Sequence, residues 1–178
     1  MKIGNSWKRQ GYTFIELAVV ILLVGIMMTI TIPRFRYALL TDSLKSTARK
    51  IVGAVRENRV EAVREHRAIR LQFDLESNQY WFESEDMSDQ DRKQARESAF
   101  SPGLGVRILD IWVKGKGKKM GGEAFIRFNE KGYVQQSMIH LGSEDGRQFT
   151  LVLRPFLRGV QILDHYLEPA DLDEGGVS

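Results

Sequence analysis

The chain has 178 residues, of which 43% are hydrophobic and 28% are charged, and a formal net charge of +3 at pH 7. Three of the 26 basic residues precede residue 11, which leaves 23 bases against 23 acids, so the remaining chain has no charge excess that would indicate nucleic-acid binding. The absence of cysteine excludes thiol catalysis and a disulfide framework.

The chain begins with a polar leader, residues 1–11, and continues into an apolar run. The leader has no acid and three bases, namely Lys2, Lys8 and Arg9. Residues 12–33 contain a single charge, Glu16. At ~1.5 Å per helical residue such a run is as long as the bilayer hydrocarbon core is thick. We therefore expect a membrane helix over residues 12–33, with a cytoplasmic N-terminus by the positive-inside rule.

The border between the leader and the run is unlike that of a secretory signal. The run ends in TITIPRFRY, without the small-residue cleavage site that such a signal carries after its apolar part. The small residue at the sharp border is Gly11, on the leader side. A carboxylate within a membrane helix costs roughly 2.5 kcal/mol or more, so Glu16 indicates a function.

The order of residues across this border resembles the class III signal of type IV pilins and of type II secretion pseudopilins. The shared order is a basic leader, Gly11, an aromatic residue, Thr13, two apolar residues, Glu16 and an apolar run. The resemblance implies that prepilin peptidase cuts between Gly11 and Tyr12 and methylates the amine of Tyr12. It also implies that Glu16 is the assembly glutamate and Pro33 the helix-kinking proline. The first mature residue of the family is usually Phe, where this chain has Tyr12.

Physical chemistry supports a role for Glu16 in a processed chain. A new ammonium at Tyr12 would lie about one helical turn from Glu16, which could neutralise the ammonium of a neighbouring copy. The alternative is a plain signal anchor whose Glu16 lies near the lipid headgroups. Gly25 fits either interpretation, because glycine is common in membrane helices.

Residues 34–66 are predicted to continue the helix with one apolar face. The stripe recurs at three- and four-residue spacing and consists of Tyr37, Leu40, Leu44, Ala48, Ile51, Val55 and Ala62. From residue 67 the pattern alternates, which predicts an antiparallel β-sheet domain over 67–167. The expected strands are 69–74, 79–82, 106–113, 124–128, 134–141, 149–153 and 160–163. Residues 84–105 are predicted to form a long loop with one helical turn near 92–98, and 168–178 an acidic, disordered tail.

These elements predict an α+β fold, in which a long N-terminal helix with a membrane half and an amphipathic half packs on an antiparallel sheet. The stretches AFIRFNEKGYVQQSMIHL, FTLVL and RGVQIL resemble the C-terminal half of H-type minor pseudopilins (GspH) and of the related FimT/FimU minor pilins. This resemblance implies a pilin-like domain.

No catalytic or metal-binding pattern is visible, so we expect a protein that is not an enzyme and needs no cofactor. The three histidines have no ligand spacing and are expected to be surface or sheet residues: His66, His140 and His165. One acidic cluster lacks the glycine and terminal glutamate of a calcium loop; it comprises Glu85, Asp86, Asp89 and Asp91. The tail acids Asp171, Asp173 and Glu174 lack them too.

A basic run suggests an alternative function. Its lysines are Lys114, Lys116, Lys118 and Lys119. Clustered cations on a loop can contact phosphates, as a DNA-uptake minor pilin would require. The run is interrupted by glycines and contains no aromatic residue, so a solvated hairpin loop is the favoured interpretation.

The resemblance therefore implies an H-type minor pseudopilin of a type II secretion system. The resemblance implies a single-pass protein of the bacterial inner membrane with a periplasmic domain. Its implied partners are other major and minor pseudopilins, prepilin peptidase and the inner-membrane assembly platform. The alternatives are a type IV minor pilin acting in pilus initiation or DNA uptake, and a signal-anchored periplasmic enzyme.

Overall fold

The computed structural model describes residues 13–156 and 159–174, and side chains at 29–42 and 173–174 lie outside the description. The chain divides into two compact units, Met1–Ala38 and Leu39–Ser178. Helix α1 (Phe14–Arg64) begins in the first unit and ends in the second. Among the described residues, no helix has the length and apolarity that a membrane crossing needs.

The second unit contains eight antiparallel strands and two further helices. Their bounds are β1 (Ile69–Asp74), β2 (Gln79–Ser84), α2 (Asp89–Glu97), β3 (Val106–Val113), β4 (Gly117–Lys119), β5 (Glu123–Phe128), β6 (Ser137–Ser143), β7 (Gln148–Leu153), β8 (Val160–Leu163) and α3 (Asp171–Glu174). The strands form a three-stranded sheet, β2-β1-β5, and a five-stranded sheet, β4-β3-β6-β7-β8. The predicted α+β class with antiparallel pairing is confirmed.

One hydrophobic core joins α1 to both sheets. The predicted stripe is buried wherever its side chains are described, at Leu44, Ala48, Ile51, Val55 and Ala62. These side chains belong to the same cluster as inward-facing residues of both sheets, such as Phe73, Ile126, Ile139 and Leu151. The alternating strands present one apolar face each, and the helix covers those faces because its own apolar residues recur at helical spacing.

Strand β6 is buried on both faces, as is the second half of β7. Ile139 and Leu141 point into the main core, whereas Met138 and His140 lie on the outer face and are also buried. A second, smaller cluster covers this outer face. It comprises Met138, Val152 and Leu172, with Trp112, Leu163 and Leu167 packed against them.

The structure differs from the predicted disordered tail over residues 168–174. This part contains α3, and Leu172 is only 7% exposed. The acidic composition suggested a solvated tail, but Leu167 and Leu172 have an apolar surface to cover on the five-stranded sheet. Residues 175–178 lie outside the described residues.

The long loop predicted over 84–105 contains a nine-residue helix, α2, in place of one turn. Ser88 caps this helix by accepting a hydrogen bond from the Asp91 N–H at 3.2 Å. Two smaller differences concern strands. The basic run contributes a short strand, β4, and β6 begins at Ser137, since Val134 makes only an isolated bridge with Phe128.

Candidate functional site

The candidate assembly site lies at the start of α1. Thr13 precedes the helix and accepts a hydrogen bond from the Glu16 N–H at 3.3 Å through its hydroxyl, and one from the Leu17 N–H at 3.2 Å through its carbonyl. Thr13 is therefore the N-cap and Glu16 stands in the first turn, where a carboxylate interacts favourably with the helix dipole. The predicted processing residues Gly11 and Tyr12, and the side chain of Pro33, lie outside the described residues.

Glu16 is surrounded along the helix by exposed apolar side chains. Every residue over 13–28 is exposed, with Phe14 at 88% and Ile15 at 72%. A Cβ added at Gly25 would meet nothing within 4 Å, so no neighbouring backbone requires glycine there. A continuous exposed apolar surface marks a site of contact with another protein or with a membrane. A carboxylate on such a surface can accept a cation supplied by a partner.

The basic run forms the hairpin between β3 and β4, and most of its lysines contact the domain itself. Lys116 Nζ lies 3.6 Å from the centre of the Phe125 ring, and Lys118 Nζ lies 3.4 Å from a Glu168 oxygen. Lys119 Nζ donates to the Glu123 carbonyl. Burial, and secondarily Arg70, lowers the pKa of Lys116. These intramolecular contacts leave the exposed Lys114 as the member of the run for which no side-chain contact is described.

In the acidic cluster that follows β2, Glu85 binds arginines of the three-stranded sheet. Glu85 accepts hydrogen bonds from Arg127 at 2.6 and 3.0 Å and from Arg70 at 3.1 and 3.2 Å. The hydrogen bond from Arg127, followed by that from Arg70, lowers the pKa of Glu85 to about 2. The hydrogen bond from Ser84 lowers the pKa of Asp86. In the described part of the chain, no group of three or more His, Cys, Asp or Glu residues could hold a metal ion.

The histidines occupy three different environments. His66 has a positive φ of 51° just after α1, and the His165 side chain is 59% exposed. His140 has no exposed surface, and its ring lies 3.9 Å from the Tyr166 ring. The prediction of a sheet residue is correct for His140, but the sequence analysis missed its buried polar partners.

A buried polar cluster surrounds His140. Its Nδ1 lies 2.7 Å from Asp110 Oδ1 and its Nε2 lies 3.0 Å from the Leu167 carbonyl oxygen, and the Tyr166 hydroxyl donates to Asp110 Oδ2 at 2.9 Å. The available sequence signal was the presence of Asp110 within VRILDIWV and His140 within SMIHLGS. A polar residue inside an apolar strand needs a hydrogen-bond partner when it is buried.

A β-bulge places Asp110 in this cluster. The register of β3 against β6 shifts between Ile108 and Asp110, so that Ile108 pairs with Leu141 and Asp110 pairs with His140. Leu109 is the extra residue. Strict alternation without it would turn Asp110 to the same face as Ile108, into the main core.

No protein-family model matches the chain, and neither a curated protein nor a solved structure matches it.

Proposed function

We propose that the chain is a minor pseudopilin of the H type, a structural component of the periplasmic pseudopilus of a type II protein secretion system. It is made as an inner-membrane precursor, cut after Gly11 by prepilin peptidase and methylated at Tyr12. Its work is assembly with other major and minor pseudopilins on the inner-membrane platform. The observation that carries this proposal is the sequence from Gly11 to Glu16 between a basic leader and an apolar run.

Two features of the structure support the proposal. The capped start of α1 sets Glu16 in the first helical turn, on an exposed apolar surface. The second half of the same helix is amphipathic and buries its stripe in an α+β domain with antiparallel sheets. A helix whose described side chains over 13–28 are exposed and mostly apolar, and whose later residues from Leu44 are buried in a domain, suits a subunit anchored in a membrane and packed beside other helices in a filament.

The proposed pairing at Glu16 gives assembly its register. Within a membrane, the low dielectric strengthens the attraction between a carboxylate and an ammonium, and an unpaired carboxylate is costly. A subunit is therefore held most favourably where its Glu16 meets the methylated ammonium of a neighbour.

Mass spectrometry of the mature N-terminus tests the processing step. The full chain is isolated from membranes of cells with and without prepilin peptidase. We expect an N-methylated Tyr12 in the first sample and an intact leader in the second. An uncut chain in both samples, or a cut beyond Pro33, would overturn the proposal.

Co-purification of the full chain with partner pseudopilins tests the pairing step. The variant Glu16→Gln keeps the shape of the side chain and removes its charge, so we expect normal cleavage with incorporation reduced about tenfold or more. Thr13→Ala removes the cap alone and costs only about 1 kcal/mol of helix stability. Glu57→Gln, at an exposed position in the second half of α1, is the matched control. If Thr13→Ala and Glu16→Gln have equally small effects, Glu16 serves only the helix end.

The DNA-binding alternative is weakened by the contacts of the basic run. Lys118 pairs with the Glu168 carboxylate, and Lys116 and Lys119 lie against the Phe125 ring and the Glu123 carbonyl, so three of the four lysines are held on the domain's own surface. We expect the detergent-solubilised full chain to show no salt-sensitive shift of double-stranded DNA at moderate salt. A shift that Lys114→Ala weakens would favour the minor-pilin alternative.

A further inference from the structure

The segment at residues 164–172, here called the strap, lies on the outer face of the five-stranded sheet. Thr150 on β7 fixes its middle, because the Thr150 hydroxyl donates to the His165 carbonyl at 2.7 Å and accepts from the Leu167 N–H at 3.0 Å. Leu172 fixes its end by burial against Met138 and Val152. The strap therefore covers an apolar patch that would otherwise be exposed.

His140 holds the strap in a way that depends on its proton. Its two ring nitrogens face two acceptors, the carboxylate of Asp110 and the carbonyl oxygen of Leu167. A neutral imidazole carries one N–H and can donate to only one of them, whereas the imidazolium donates to both. The negative charge of Asp110 compensates for burying the imidazolium.

The same conclusion follows if the proton lies on Asp110. A protonated Asp110 could donate to Nδ1 while Nε2–H donates to Leu167, and the pair again holds one proton. Loss of that proton leaves a buried carboxylate facing a ring that has one N–H for two acceptors. Either Asp110 or the Leu167 carbonyl then loses the hydrogen bond that the ring donated, and only Asp110 has another donor, the Tyr166 hydroxyl. Losing a hydrogen bond at a buried polar group is costly.

Every neighbouring element contributes a group to this site. β3 contributes Asp110, β4 contributes Lys118 and β7 contributes the neutral Thr150, whereas the strap contributes Tyr166 and Glu168. Lys118 lies over the Tyr166 ring and reaches Glu168. The two negative charges, on Asp110 and Glu168, are balanced by Lys118 and by His140 when His140 is charged. Loss of the proton leaves one uncompensated negative charge beneath the strap.

We propose that the strap is a proton-controlled latch: it stays docked while the pair of Asp110 and His140 holds one proton, and it is released when the pair loses that proton. Release uncovers the apolar outer face around Trp112, Met138 and Val152. The docked arrangement needs this proton to satisfy both acceptors and the released strap does not, so docking takes up a proton and weakens as the pH rises. The latch is a property of the domain and does not depend on the proposed function.

Hydrogen exchange measured by mass spectrometry on the detergent-solubilised full chain tests the latch. Protection of the strap is compared with that of β6 and β7 at about pH 5 and about pH 8, with rates corrected for intrinsic exchange. We expect strap protection to fall about tenfold at the higher pH, the equilibrium factor of one charge-assisted hydrogen bond, while β6 and β7 are unchanged. Equal strap protection at both pH values would overturn the proposal.

Three variants separate the latch from ordinary packing. His140→Gln should give low strap protection at both pH values. Tyr166→Phe removes only the hydroxyl, so it should lower protection but preserve the dependence on pH. His165→Gln changes an exposed histidine of the same strap and should behave as wild type. A dependence on pH that survives in His140→Gln or disappears in His165→Gln would assign the effect to another group.

Nitrogen NMR of the wild-type chain gives a test that needs no variant, in case His140→Gln does not fold. At about pH 5 the signals of a docked His140 should show protons on both ring nitrogens, or one proton on Nε2 with a protonated Asp110. A ring with its only proton on Nδ1 would leave the Leu167 carbonyl without a donor and would contradict the latch.

Discussion

At Gly103 the backbone of the loop before β3 lies directly against α1. The Gly103 N–H donates to Thr47 Oγ1 at 2.9 Å, and the Ser43 hydroxyl donates to the next carbonyl, that of Leu104, at 2.8 Å. A Cβ on Gly103 would lie 3.1 Å from Thr47 Oγ1 and would overlap Ser43 Oγ. Two helix hydroxyls thus hold the loop so close to α1 that a Cβ at residue 103 would force the Ser43 hydroxyl to move.

We predict that Gly103→Ala lowers the free energy of unfolding by about 1 to 3 kcal/mol, because the added methyl group must displace Ser43 and the loop. Gly121→Ala is the matched control, since a Cβ there meets nothing within 4 Å. Urea midpoints of the two variants provide the measurement. Because Ser43 Oγ is the atom displaced, the double variant Ser43→Ala/Gly103→Ala should lose less free energy of unfolding than the sum of the two single variants. Equal midpoints for Gly103→Ala and Gly121→Ala would contradict the predicted overlap.

Among the elements, the three-stranded sheet is tied together by one carboxylate on its outer face. Glu85 follows β2 and binds Arg70 of β1 and Arg127 of β5. Arg70 also lies over the Phe125 ring, at 5.2 Å from its centre. One acid therefore joins the middle strand to an edge strand, and the Arg70 guanidinium also covers the Phe125 ring.

This arrangement predicts a loss of stability in acid. The pKa of Glu85 is about 2 in the folded chain against an ordinary 4.5, so its contribution is present above the ordinary value and is lost as the pH falls toward the folded value. Solvent screening at this partly exposed site leaves a contribution of about 1 to 2 kcal/mol. Glu85→Gln should lower the free energy of unfolding, measured by urea titration, by that amount near pH 7, and its difference from wild type should be smaller near pH 2. Glu97→Gln, at an exposed position on α2, should change neither; a constant deficit for Glu85→Gln at both pH values would contradict the linkage.

The success of sequence reasoning differs between elements for a physical reason. The strands at 69–74 and 106–113 were predicted with their observed bounds, because alternation and turn residues are local signals. The strap was missed because it depends on distant partners, and β4 was missed because its three residues are exposed and show no apolar alternation. Leu172 is buried because it packs against Met138 of β6 and Val152 of β7, which are distant in the sequence. Lys118 pairs with Trp112 across a glycine-containing hairpin. Asp110 reaches His140 only through the β-bulge at Leu109, and no local sequence pattern predicts a bulge there.

For the whole molecule, the division into two units has a consequence for folding. Every buried member of the main core, from Leu44 to Leu153, belongs to Leu39–Ser178. The described side chains of the first unit, over 13–28, are all exposed. Burial of apolar surface is the main term that opposes conformational entropy, so the stability of the domain should reside in the second unit alone.

We predict that a fragment of residues 39–178 folds without the first unit and unfolds in one cooperative transition. Circular dichroism followed by urea titration provides the measurement. Within the fragment, Ile51→Ala should cost about 2 to 5 kcal/mol, because this α1 side chain is buried in the core. Val60→Ala, at a 61% exposed position on the same helix, should cost no more than about 0.5 kcal/mol. A fragment without a cooperative transition, or equal effects of the two substitutions, would mean that α1 needs its first half to dock on the sheets.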